Sequence, residues 1–216
     1  MLGQSISKNS LLLAAFALAT AGTLALTNLG TKERIANAER AAQQRALFEV
    51  IPVQDHDNDL LNDTIAIPES ALADLHVSST ARIYRARRNG DITALIVPAV
   101  APDGYSGDIE MIVGVNRDGS VAGVRIIKHK ETPGLGDKID LKKHQWILSF
   151  NGKSLMFPVI EEWKVKKDGG AFDQFAGATI TPRAVVGQVK HVLEFAAANH
   201  DSLFSDTQPT TGEQHE

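Results

Sequence analysis

The sequence predicts an α+β fold class: an antiparallel-sheet domain with flanking helices, preceded by one N-terminal transmembrane helix. Three observations carry this. Residues 11–29 (LLLAAFALATAGTLALTNL) contain no charged side chain. Between 81 and 128, strand-like apolar runs follow one another, the last two joined by Asp118-Gly119. Past Thr181-Pro182, the residues Val185, Val186, Val189, Val192, Leu193 and Ala196 recur at helical spacing.

At the N-terminus, a helix of roughly 20 apolar residues spans about 30 Å, one bilayer core. The apolar region of a cleaved leader is shorter, about 7–15 residues, so 11–29 reads as a retained anchor. Lys8 precedes the span, while Lys32 and Arg34 follow it. Charge therefore does not favour an N-terminus-in orientation, although a long following domain can translocate regardless. Residues 30–67 are expected to be a stalk and linker. Their first part (TKERIANAERAAQQRALFEV) is rich in Ala, Glu, Arg and Gln and suits a helix. Their second part holds Asp55, Asp57, Asp59 and Asp63 with His56. It lacks the glycine and late glutamate of a calcium loop, and reads as a solvated acidic loop.

The sheet domain is expected over 68–202. Ala81–Arg87 alternates in part, and Ile92–Val100 and Asp108–Asn116 are β-branched apolar runs. Arg117-Asp118-Gly119-Ser120 suits a hairpin turn, and Val121–Lys128 is its partner strand. A four-strand meander follows from this order. A short helix is expected within 137–147 and a weak strand within 154–166. Residues 203–216 read as a polar tail.

Three loops are candidates for chemistry. In Asp173-Gln174-Phe175-Ala176-Gly177-Ala178-Thr179-Ile180-Thr181-Pro182, the small residues Gly177 and Ala178 allow a planar group near the backbone. Thr181 and Pro182 read as N-cap and first helical position, which places Thr179 just before a helix N-terminus. Such a place favours a phosphate, through free N–H groups and the helix dipole. In His129-Lys130-Glu131-Thr132-Pro133-Gly134-Leu135-Gly136-Asp137, two glycines flank an apolar Leu135 that could touch a flat ligand. Pro102-Asp103-Gly104-Tyr105-Ser106-Gly107 offers Tyr105 for stacking. The lysines at 164, 166 and 167 read as a solvated face.

Other functions are excluded by composition. The chain has no cysteine, which rules out thiolate catalysis and cysteine-ligated clusters. A net charge of −4 argues against nucleic-acid binding. The seven histidines show no metal-ligand spacing.

The pair ETPGLG at 131–136 and GATITPRAV at 177–185, with GYSG at 104–107 and one N-terminal span, resembles the FMN-binding domain shared by two families. These are the RnfG (RsxG) subunit of the Rnf electron-transport complex and the NqrC subunit of the sodium-pumping NADH:quinone reductase. DQFAGATITPRAVV and the chain length are closer to RnfG. The resemblance implies a flavin-carrying electron relay with FMN joined to Thr179 by a phosphoester bond. A flavin transferase would make that bond, taking FMN from FAD. It implies that 1–10 is cytoplasmic, that 68–202 faces the periplasm from a bacterial inner membrane, and that other subunits of the complex are partners. By motif match, Ala176, Gly177 and Ala178 line the phosphate end with Thr181 beside it. Glu131, Thr132 and Leu135, and Tyr105 more distantly, approach the flavin. No side chain is implied in independent catalysis. The chain departs from the family pattern Asp-x-x-Ser/Thr-Gly-Ala-Thr/Ser at one place, where Ala176 replaces the hydroxyl residue. A hydrogen bond to a charged group is worth roughly 1.5–3 kcal/mol, enough to slow attachment. That departure also motivates an alternative, an anchored assembly subunit without flavin.

Overall fold

Five antiparallel strands in sequence order form the sheet of the computed structural model, which describes residues 2–205. They are β1 (Thr64–Ala66), β2 (Arg82–Arg88), β3 (Asp91–Ala101), β4 (Ile109–Asn116) and β5 (Val121–Lys128). The helices are α1 (Leu2–Val50), α2 (Glu69–Leu75), α3 (Ile180–Ala198) and α4 (His200–Leu203). The chain divides into two compact units, the first ending at Gln43 and the second beginning at Gln44. Within the first, Asn9–Lys32 is long and apolar enough to cross a membrane. Its Leu11, Leu12, Leu13, Phe16, Leu18, Leu24 and Leu26 are exposed, as a lipid-facing helix requires.

The second unit has apolar layers on both faces of the sheet. Leu95, Val97, Ala99, Met111 and Val113 pack toward α3 with Val185, Val189, Val192 and Leu193. Ala94, Ile96 and Ile112 face the other way, under Leu47, Val50, Ile51 and Leu60. This explains why Ile92–Val100 is largely apolar: β3 lies between two cores, and from Ala94 to Val97 both parities of its side chains are buried. Pro98 is tolerated because the ladder between β2 and β3 reaches only to Ile96, and a missing N–H costs nothing on an open edge. The end of α1 rests on a glycine pair. Gly114 and Gly123 are directly opposed in β4 and β5. A Cβ on Gly114 would lie 2.5 Å from Val50 Cγ1, and one on Gly123 3.2 Å from the Val50 carbonyl oxygen. Pro52 then stops the helix.

Several local expectations change. Residues 51–67 keep Asp55, Asp57 and Asp59 exposed, as a solvated loop does, but are also tied to the sheet. Asp63 pairs with Arg85 and Arg87, each at 2.6 Å. Asn58 donates to the Arg85 carbonyl and accepts from Arg87 N–H, and β1 adds an edge strand. The sequence reading omits the Asn89-Gly90 turn between β2 and β3, where both residues have positive φ, although the pair is a strong hairpin signal. At the next turn only Gly119 has positive φ; Asp118 instead accepts from the N–H and hydroxyl of Ser120. The helix expected within 137–147 is two 3₁₀ turns, Gly136–Ile139 and Gln145–Phe150. No strand forms over 154–166. Trp163, Phe150, Phe172, Trp146 and Phe175 form an aromatic cluster there instead, with centroids 4.7 Å apart where Phe150 meets Phe172 and 5.3 Å where it meets Trp146. Leu203 and Phe204, expected in the tail, are buried; residues 206–216 lie outside the described residues.

The C-terminal helix contains a pH-sensitive fastening. His200 Nε2 lies 2.9 Å from the Arg117 carbonyl and Nδ1 3.2 Å from Asp201. The Arg117 carbonyl first, and Asp201 second, favour the doubly protonated ring and raise its pKa above 6.5. A raised folded-state pKa contributes stability that is complete below the unfolded value and fades as pH rises through the folded one. NMR titration of the ring protons should show the elevation, and a His200 pKa at or below 6.5 would contradict it.

Candidate functional site

The site is built from the three glycine-bearing loops, and its floor is the start of α3. That helix begins at Ile180, two residues before the sequence suggests, with Thr179 rather than Thr181 at the cap. The reason is that the Thr181 hydroxyl is engaged elsewhere, and Pro182 falls in the first turn, where a missing N–H is harmless. Thr179 has helical backbone angles and its side chain makes no capping hydrogen bond. Its hydroxyl therefore has no part in the cap, while its carbonyl accepts from Arg183 N–H at 3.2 Å.

The approach to Thr179 is held from below. Phe175 is buried edge-on against Trp146 at 5.1 Å, and Trp146 Nε1 donates to the Asp173 carbonyl at 2.7 Å. Ala178 N–H donates to the Phe175 carbonyl, closing a turn in which Gly177 takes φ +78°. A Cβ is disfavoured at that angle. Arg183 grips Asp168 through two bonds of 2.7 and 2.9 Å, joining the first turn of α3 to the preceding loop. The Arg183 guanidinium holds the Asp168 carboxyl below its ordinary 3.8.

The Glu131–Gly136 loop forms one wall. Leu135 N–H donates to the Thr132 carbonyl, and Gly134 N–H donates to Asp137 Oδ1 at 2.7 Å. Gly134 has φ +79°. Leu135 reaches over the Gly177 turn: its Cδ2 would lie 3.6 Å from a Cβ on Gly177. The Gly104–Gly107 loop adjoins it. Gly104 has no room for a side chain, because a Cβ would be 2.2 Å from the Gly107 carbonyl oxygen.

One side chain joins all three. Glu131 is only 5% exposed. Its Oε1 accepts from Ser106 N–H at 2.9 Å and its Oε2 accepts from the Thr181 hydroxyl at 2.5 Å. Thr181 is fully buried.

The residues singled out in the sequence thus fall into two groups. Thr179, Ala176, Gly177, Ala178, Thr132, Leu135 and Tyr105 present surface; Leu135 is 42% and Tyr105 69% exposed. Glu131 and Thr181 are inside. Sequence reasoning misses Ile180, an apolar residue 45% exposed beside Thr179. Its signal is present, since it lies off the helical stripe of Val185, Val189 and Val192 that α3 buries. Among the described residues no cluster of three metal-ligating side chains occurs.

The arrangement fits a phosphate-bearing flat ligand. An uncommitted hydroxyl sits at a helix start whose first N–H groups have no intrahelical acceptor. Exposed apolar side chains from all three loops, Tyr105, Leu135 and Ile180, are available to a ring system. Lys138 lies over the Phe175 ring at 6.0 Å, while Lys166 is paired with Asp173 at 2.6 Å.

Comparison with known proteins agrees with this geometry. Residues 104–194 match the FMN-binding domain family, and residues 1–50 match the RnfG N-terminal region. Relatives named as the G subunit of the ion-translocating oxidoreductase complex are similar over nearly the whole length. The one from Pseudomonas aeruginosa is 48% identical over 202 residues, covering 94% of each chain. The one from Pseudoalteromonas atlantica is 47% identical over 202 residues, 94% of this chain and 93% of that one. The Vibrio cholerae protein is 44% identical over 209 residues, 97% of this chain and 99% of that one.

Proposed function

We propose a function from the premise that this chain belongs to the RnfG family of ion-translocating oxidoreductase complexes and carries its FMN-binding domain. The chain is an electron-relay subunit of such a complex and has FMN bonded to Thr179. The observation that carries the attachment is the Thr179 hydroxyl, which caps nothing in the fold yet sits where three loops meet a helix N-terminus. FMN, when bound, takes one or two electrons and so connects two-electron to one-electron carriers.

The chain's own residues bind and orient. The first turn of α3 and Gly177 receive the phosphate end. Leu135, Ile180 and Tyr105 offer apolar cover to the ring and exclude water from it. Attachment balances as a phosphoryl transfer. Thr179 Oγ would give up its proton and hold FMN through a phosphoester bond, with AMP as the other product from FAD. A flavin transferase supplies that chemistry, and Thr179 supplies the acceptor oxygen, which takes no part in capping α3. The apolar Asn9–Lys32 helix holds the chain in the inner membrane, with the flavin domain on the periplasmic side. There, a covalent bond prevents loss of a scarce cofactor. Partners are the other subunits of the complex.

The test is intact mass. Chain produced together with a flavin transferase should gain one FMN less one water. A mass equal to the bare polypeptide, with the transferase active on another substrate, would favour an assembly role without flavin. Ala176 is the feature that supports this second reading, because it removes a hydroxyl from beside the phosphate.

A further inference from the structure

We propose that Glu131 is a positioning residue: it never contacts the flavin, and acts by fastening the Tyr105 loop and the Thr179 helix start to the Leu135 loop. This rests on the reading of Thr179 as the attachment site. The family resemblance places Glu131 among the flavin contacts, but both of its oxygens are already engaged. Oε1 holds Ser106 N–H and Oε2 holds the Thr181 hydroxyl. Those partners are 25 and 50 residues away in sequence, so the two bonds close two long loops around one carboxylate.

Each bond sits one or two residues from a side chain of the site. Ser106 follows Tyr105, and Thr181 stands two residues after Thr179. Leu135 lies in the same loop as Glu131. The carboxylate therefore sets where Tyr105, Leu135 and Thr179 stand relative to one another. Gly136 shows how closely the clasp is fitted. A Cβ there would be 2.6 Å from Glu131 Oε2 and 2.8 Å from Thr181 Oγ1. Both atoms are held by their mutual bond and cannot swing aside. The burial also has a chemical reason: a carboxylate out of water needs its lone pairs filled. Here the loops supply one donor to each oxygen, and with the side chain only 5% exposed little of the carboxylate is open to a ligand.

The experiment uses the full chain in membranes with its transferase, and compares Glu131→Ala, Glu131→Gln and Thr181→Val with the parent. Glutamine can keep both links, accepting from Ser106 N–H through its oxygen and donating to Thr181 Oγ1 through its amide. The rate of FMN incorporation should fall at least about tenfold in Glu131→Ala, as expected for losing hydrogen bonds to a charged group. Glu131→Gln should stay near the parent rate with an unchanged flavin midpoint potential. Thr181→Val, which keeps the shape of the side chain, should fall part of the way and still fold. In Glu131→Ala the Thr181→Val change should add little, because the partner is already gone.

A readout without flavin separates this from the attachment reading. Hydrogen exchange at the Ser106 amide should be slow in the parent and in Glu131→Gln, and fast in Glu131→Ala, whether or not FMN is present. Parental incorporation in Glu131→Ala overturns the proposal. So does a shifted potential in Glu131→Gln, which would place the charge against the flavin. A parent chain without FMN whose Ser106 amide still follows this pattern would refute the attachment and keep the clasp.

Discussion

Replacing Thr179 by valine is expected to abolish covalent FMN while leaving stability within about 0.5 kcal/mol of the parent, the usual range for a side chain away from packing and hydrogen-bond networks. Both halves follow from the same observation. A threonine at a helix cap ordinarily contributes about 1 kcal/mol through its side-chain bond to the first turn. Thr179 has helical backbone angles and makes no such bond. Valine keeps the shape and removes only the oxygen, so the fold loses nothing it used. Thr179→Ser retains the oxygen and should still be loaded. Intact mass with in-gel flavin fluorescence reads the attachment, and a denaturant midpoint reads stability. FMN mass retained in the valine variant would move the attachment to another residue. A large loss of stability would show that the hydroxyl has a structural task.

The second large effect concerns Gly170. Its Cα passes so close to the segment before it that a Cβ would lie 2.0 Å from the Lys164 carbonyl oxygen and 2.3 Å from its carbon. These are backbone atoms and no rotamer relieves the overlap. The crossing is fixed by Ala171 N–H to the Glu162 carbonyl, Phe172 N–H to that of Lys164 and Lys166 N–H to that of Phe172. Gly170→Ala must force these apart and disturb the packing of Phe172 on Phe150 and Trp163. A cost of about 3 kcal/mol is expected, at the upper end for overpacking. Gly169→Ala is the control. Gly169 has φ +82° and open space around it, so it should cost only the left-handed backbone penalty of about 1–2 kcal/mol. Equal midpoints for the two variants would contradict the crossing.

The two regions differ in how far the sequence discloses them. The meander is readable because β-branched runs and turn residues are local signals. The helix that follows Thr179 is readable from its 3.6-residue period. The start of that helix is not, because Thr181-Pro182 is a good local cap and the competing demand on Thr181 comes from Glu131, 50 residues earlier. The tie between the acidic segment and the sheet is hidden for the same reason. Asp63 looks like a loop residue until Arg85 and Arg87 arrive from β2. The strand expected within 154–166 does not form because Trp163 and Phe172 are satisfied by an aromatic cluster rather than by a ladder. Within the site, the resemblance names every loop. That Glu131 and Thr181 bind each other is long-range information that neither motif contains alone.

The seat of Val50 on Gly114 and Gly123 bears on how this protein can be shed from a membrane. The residues that cover the sheet's second face, Leu47, Val50, Ile51 and Leu60, begin inside the last turn of the long first helix. A protease cutting between the apolar span and Gln44 would release a piece that keeps this cover. A protease cutting just beyond Ile51 would leave Leu47, Val50 and Ile51 behind on the membrane, and would bare Ile96 and Ile112 to water. The two cuts lie only a few helical turns apart, yet one would leave the second core covered and the other would open it. The end of the first helix is therefore the point at which truncation would change from sparing this core to exposing it.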